Sequence, residues 1–174
     1  MRLAAGLTLV ALTAVTACSS NEEGAPPGQA CPLAFIIDGA SRIAVPPPSV
    51  NEDPQALRYV AALSDIRSDC RHDEAAVEVD IGFDLLAQRG PALEGDRVNV
   101  TYFVATIGPD QTILDKQTFE AEVLFPEGRQ VAGIFEALTL RIPIASAADA
   151  LPELYVGFQL DPAELRGIPS PLPE

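Results

Sequence analysis

The chain has 174 residues, 48% hydrophobic and 21% charged, a globular balance that excludes a disordered polymer. Its 25 Asp and Glu against 11 Lys and Arg give a net charge of −14. A field of that sign repels phosphate backbones and anionic headgroups, which argues against nucleic acid as a partner and leaves no basic patch to hold a membrane surface.

At the amino terminus, Arg2 precedes an uncharged stretch from Leu3 to Val15 made mostly of Leu, Ala, Val and Thr. That stretch is shorter than the roughly 20 apolar residues a spanning helix needs, and it has the build of a secretory leader. Val15-Thr16-Ala17-Cys18 closes it, and the polar run Ser19-Ser20-Asn21-Glu22-Glu23 follows at once. The arrangement resembles the lipobox of bacterial lipoproteins. What the resemblance implies is a signal peptide over 1–17, a diacylglyceryl group on the Cys18 thiol, and a mature chain held to a membrane outside the cytoplasm. Val15 and Ala17 also satisfy the small-residue rule for ordinary secretory cleavage after Ala17. The cysteine count favours lipidation, because using Cys18 leaves Cys31 and Cys70 as one pair. Ser19 stands where enteric-type sorting uses Asp for inner-membrane retention, so the expected location is the outer membrane, facing the periplasm.

Residues 18–30 are rich in Ser, Asn, Glu, Gly and Pro and read as a flexible tether. The end, 167–174, carries three prolines and reads as a disordered Pro-rich tail; there and in Val45-Pro46-Pro47-Pro48, linker and groove ligand are both open readings. Between them, over 31–166, prolines and glycines punctuate segments of strand length. Leu33–Ile37 and Leu57–Ile66 come first. In Val77–Leu85 every odd position is apolar and the even ones are acidic or Gly, so one face is core and the other water. Arg97–Ile107 is apolar on both faces, as a strand covered on both sides would be. Phe119–Phe125, Ile134–Ile142 and Leu154–Leu160 complete seven strands. Seven short antiparallel strands with turns at this spacing predict an all-β, two-sheet sandwich with an immunoglobulin or fibronectin type III-like Greek key; a small open β-barrel is the alternative. The expected core is Val77, Val79, Ile81, Phe83, Tyr102, Val104, Phe119, Val123, Leu140, Val156 and Phe158. Asp149 to Gly157 resembles a tyrosine corner at a longer spacing, and Ser146 with Asp149 has capping-box spacing for one helical turn.

Cys31 opens the first expected strand and Cys70 ends the second, so antiparallel pairing would set both thiols at one sheet edge and predicts a disulfide between them. Metal ligation needs more Cys or His, and the single histidine, His72, falls in the charged hairpin Asp69-Cys70-Arg71-His72-Asp73-Glu74. Calcium on Asp69, Asp73 and Glu74 lacks the glycine of a calcium loop. No Gly-rich phosphate loop, nucleophile elbow or zinc-protease helix is present. Glu78, Asp80 and Asp84 follow one strand face, which reads as wet surface. Lys116, the only lysine, sits between Asp115 and Gln117 on a strand. No catalytic residue, metal or cofactor is therefore expected.

Cys31-Pro32, Cys70, Gly90-Pro91-Ala92, Tyr102-Phe103-Val104-Ala105, Lys116 and Gly157-Phe158-Gln159-Leu160 form a set of spaced landmarks. On these the stretch from Cys31 to about Leu165 resembles small lipoproteins of Gram-negative bacteria, most nearly an alphaproteobacterial family of unknown function. The resemblance implies an envelope protein and names no site. The expected function is a non-enzymatic interaction or assembly domain, lipid-anchored through Cys18, with an envelope protein as partner. The alternative is a periplasmic ligand-binding or hydrolytic domain using scattered carboxylates, which would require two close, buried carboxyl groups in a concave pocket.

Overall fold

The computed structural model describes residues 30–47, 56–73, 75–143 and 150–160. These residues form β1 (Ala34–Ile36), a 3-10 turn (Asp38–Ala40), β2 (Arg42–Val45), β3 (Tyr59–His72), β4 (Ala76–Arg89), β5 (Arg97–Ile107), β6 (Ile113–Leu124), β7 (Val131–Pro143) and β8 (Glu153–Phe158). One four-stranded sheet has the order β1-β8-β5-β6 and the other β2-β3-β4-β7. All pairings are antiparallel except β1 with β8. The sheets face each other without closing into a barrel, so the fold is a β-sandwich.

The chain path follows from the strand orders. Hairpin β3-β4 lies in one sheet and hairpin β5-β6 in the other; β7 then returns beside β4 and β8 beside β5. That is the Greek-key connectivity of immunoglobulin-like sandwiches, with β1 lying parallel to β8 in the place where such folds put their last strand. The turns between strands use the expected residues. Gly95 and Gly128 take positive φ of 80° and 75°, and Gln111 closes the turn that begins at Gly108.

Alternation builds the core. The odd positions of β4 from Val77 to Leu85 are buried, while Glu78, Asp80 and Asp84 lie on the outer face. A slip of one residue would reverse this and drive three carboxylates inward, so the register is strongly fixed. The expected core residues are buried except Phe119, which is half-buried and packs against the cluster. Phe83 from one sheet meets Tyr102 from the other edge to face at 5.2 Å, and Tyr102 stacks on Phe119 at 5.4 Å. Tyr59 adds a polar tie across the layers, its hydroxyl donating to the Asn99 carbonyl at 2.9 Å.

Three expectations need correction. The strand Arg97–Ile107 has the bounds read from sequence, but β5 alternates between buried and exposed positions until Tyr102; only Val104 to Thr106 are buried on consecutive positions. The first and second expected strands do not pair with each other: β1 belongs to the sheet of β8 and β3 to the sheet of β4. β3 also continues to His72, so that histidine ends a strand and lies half-buried rather than on a solvated hairpin. The leader, the tether from 18 to 29, the capping-box turn at Ser146 and Asp149 and the Pro-rich tail lie outside the described residues.

Candidate functional site

The cysteine pair shows what the sequence pattern could place and what it could not. Cys31 and Cys70 form a disulfide with Cα atoms 5.6 Å apart. It joins the two sheets, not two strands at one sheet edge. Its cause is a bulge in β3: between Ser64 and Arg67 the strand gains one residue over β4, with Asp65 at φ 53°. The extra residue reverses the facing of everything after it. Tyr59, Ala61 and Leu63 point inward on odd positions, whereas Ile66 and Cys70 pack against the core on even ones. Without the bulge Cys70 would face water. His72 is turned inward by the same device; its Nε2 lies 3.1 Å from the Ala30 carbonyl oxygen and 3.6 Å from Cys70 Sγ.

One long side of the sandwich is thereby closed. From β1 the chain crosses to β2 through the 3-10 turn, and the disulfide spans the same gap. The opposite side ends in β6 and β7, of 12 and 13 residues, and among the described residues no strand pairs with the outer edge of either. The hydrogen bonds at their ends fix which backbone groups point away from the sheet. Phe125 N–H donates to the Asp96 carbonyl at 2.7 Å, so the odd residues of β6 bond inward to β5, and Lys116, Thr118, Glu120, Glu122 and Leu124 direct theirs outward. Arg89 N–H donates to the Gln130 carbonyl at 2.9 Å, so the even residues of β7 bond to β4, and Val131, Gly133, Phe135, Ala137, Thr139 and Arg141 direct theirs outward.

Between these edges lies an ionisable residue outside the sequence-based expectations. Glu136 occupies an even position of β7, on the inward-facing side with Ile134, Leu138, Leu140 and Ile142, and accepts a 2.6 Å hydrogen bond from the Tyr102 hydroxyl. Burial first, then the bond to Glu136, pushes the Tyr102 hydroxyl well above the ordinary phenol value. The signal was legible: an acid on the apolar face of an otherwise regular alternation. Inward charge on an edge strand also discourages indiscriminate pairing.

The acidic groups singled out from sequence are engaged locally. Asp73 Oδ1 accepts from the Ala75 and Ala76 N–H groups at 2.8 Å, and its Oδ2 lies 2.6 Å from Arg141. The Ala75 bond, then Arg141, holds its carboxyl below the usual range. Asp69 accepts from the Cys70 N–H, and Glu74 lies outside the described residues. Arg71 bridges Glu78 and Asp80, and Asp80 also accepts from the Thr139 hydroxyl at 2.6 Å, the larger cause of its lowered pKa. Among the described residues no group of three His, Cys, Asp or Glu is placed to hold a metal ion. Tyr155 bonds Glu153 at 2.7 Å and packs on Phe35, so its hydroxyl is not used as a corner tie. Lys116 lies 4.2 Å over the Phe103 ring, its Nζ 2.9 Å from Gln159 Oε1. Cys18 falls outside the described residues.

The outer face beside β7 is apolar. Leu86, Val131 and Phe135 are 44%, 51% and 55% exposed. The tip of the Phe135 ring lies over Gly82, where a Cβ would come within 2.3 Å of its Cζ, and Gly133 makes the same room for Leu86. Comparison of the chain with protein-family models, curated proteins and solved structures returns no match.

Proposed function

We propose that this chain is a lipid-anchored protein of the bacterial cell envelope, tethered through Cys18 and facing the periplasm from the outer membrane. Its sandwich acts there as a non-catalytic interaction domain. The open side carries this reading: two long strand edges, unpaired among the described residues, lie together, opposite a side sealed by a crossover and a disulfide. An unpaired edge is a template for adding a strand from another protein. The Cys31–Cys70 bridge supports an oxidising compartment, and it leaves Cys18 as the spare cysteine behind the apolar leader. The enzymatic alternative draws no support from the carboxyl groups with shifted pKa. Asp73, Asp80 and Asp110 all shift down through hydrogen bonds on open surface. Glu136 faces a phenol, not a second carboxyl group.

Site-specific photo-crosslinking in living cells tests this reading. A photoreactive residue replacing Thr118, on the β6 edge, should give a discrete heterologous adduct. The same residue at Asp38, on the closed side, should not. Equal labelling from both positions, or none from the edge, would refute an interaction surface there.

A further inference from the structure

We propose that β7 is a self-association edge, at which a second copy of this chain adds its own β7 antiparallel and joins two four-stranded sheets into one. The inference rests on reading the open side as an interaction surface, and it is independent of the lipid tether.

Charge selects both the edge and the occupant. Two molecules that each carry −14 approach closely only where no carboxylates oppose one another. On β6 the outward residues include Glu120 and Glu122, and pairing that edge with itself would set acids beside acids. β1 and β2 present three and four residues. β7 differs from all of these. Its only acid, Glu136, points inward onto Tyr102, and its only base, Arg141, is already held by Asp73. A basic partner strand would find no free acid among the β7 side chains, and would meet the Arg67 guanidinium lying 5.7 Å from the Phe135 ring centroid, whereas a second copy meets a strand as poor in free charge as its own.

Shape then sets the register. In the antiparallel alignment that pairs every outward residue from Val131 to Arg141, Phe135 lies opposite Ala137 of the second copy, Gly133 opposite Thr139 and Val131 opposite Arg141. Each pair recurs across the two-fold axis. Large side chains meet small ones. The exposed Phe135 ring, its tip over Gly82, covers the neighbouring copy's Ala137, and both copies remove Val131 and Phe135 from water.

The test uses sedimentation velocity on the full chain carrying Cys18→Ser, purified without detergent, across a concentration series. The expected species has twice the monomer mass, and added NaCl should strengthen association by screening the repulsion between the two copies. Ala137→Pro removes a donor that makes no bond within the sheet, so it should preserve the fold while weakening association by at least about tenfold. Phe135→Glu, with no backbone change, should weaken it as much; circular dichroism verifies the fold of both variants. A monomer at every soluble concentration, or a dimer indifferent to both substitutions, would overturn the proposal. A protein with wild-type β7 that stays monomeric while the Thr118 crosslink forms would overturn this inference alone and leave the envelope-partner reading standing.

Discussion

Replacing Cys31 and Cys70 together with Ser probes the joint between the two sheets. The bridge closes a sequence separation of 39 residues, for which the chain-entropy model gives a stabilisation of about 4 kcal/mol. For a domain of this size each kcal/mol corresponds to about 3 to 4 °C in melting temperature, so the double variant should melt about 12 to 16 °C lower. The loss should also have a local signature. β1 is held to β8 by three residue pairs, with Ile37 N–H on the Val156 carbonyl and Leu154 N–H on the Leu33 carbonyl. Without the bridge that short strand should open independently, while β4, paired on both sides, stays closed. Calorimetry gives the first quantity. Native-state hydrogen exchange gives the second, with the Ile37 amide accelerated and the β4 amides between Val77 and Leu85 retaining the slowest exchange. Two free thiols in denatured, alkylated, unreduced protein would refute the reasoning, as would a melting shift below about 3 °C.

Other outcomes follow from the same packing. Phe83→Ala removes a fully buried ring from the contact with Tyr102 and should cost about 3 to 5 kcal/mol in urea unfolding; a cost under about 1 kcal/mol would mean the core is not packed as described. Tyr102→Phe leaves the Glu136 carboxylate facing inward without its donor and should cost about 1.5 to 3 kcal/mol, part of which Glu136→Leu in the same chain recovers in a double-mutant cycle. Strict additivity in that cycle would refute the coupling. Asp73, Asp80 and Asp110 are held below their ordinary pKa in the fold, so their contribution is complete above the unfolded value of about 3.9 and is lost as pH falls through the lowered folded values. Melting temperature should be level from pH 7 to about 5 and fall below about pH 4. Tyr102 acts at the other end: its folded pKa is raised, so its contribution is complete below about pH 10 and is lost as pH rises beyond it. A melting temperature flat through both ranges would contradict these assignments.

Much of the architecture was legible because alternation is a direct record of burial. β4 and β7 lie near their expected places, since one face of each carries most of the apolar residues, whereas β5 has its expected bounds from its apolar run but not the expected burial on both faces. Where both faces are wet the record fails. β6 starts at Ile113, six residues before its expected start at Phe119, because Ile113 to Thr118 are exposed throughout and carry no period. β2 is four residues long and precedes a proline run, too short to show a pattern. The Cys31–Cys70 pairing was legible from cysteine arithmetic, but its span between sheets was not. That depends on a bulge at Asp65, a backbone event that no side-chain pattern announced. Glu136 was visible in the sequence as an acid among inward apolar positions, yet its meaning required Tyr102, distant in sequence and placed opposite only by the fold.

The central claim, that this sandwich works from a lipid tether at Cys18, is tested most directly by detergent phase partition of the full chain and its Cys18→Ala variant from whole cells. The wild type should enter the detergent phase and the variant the aqueous phase. Recovery of Cys18→Ala in the detergent phase, or of the wild type in the aqueous phase, would contradict it.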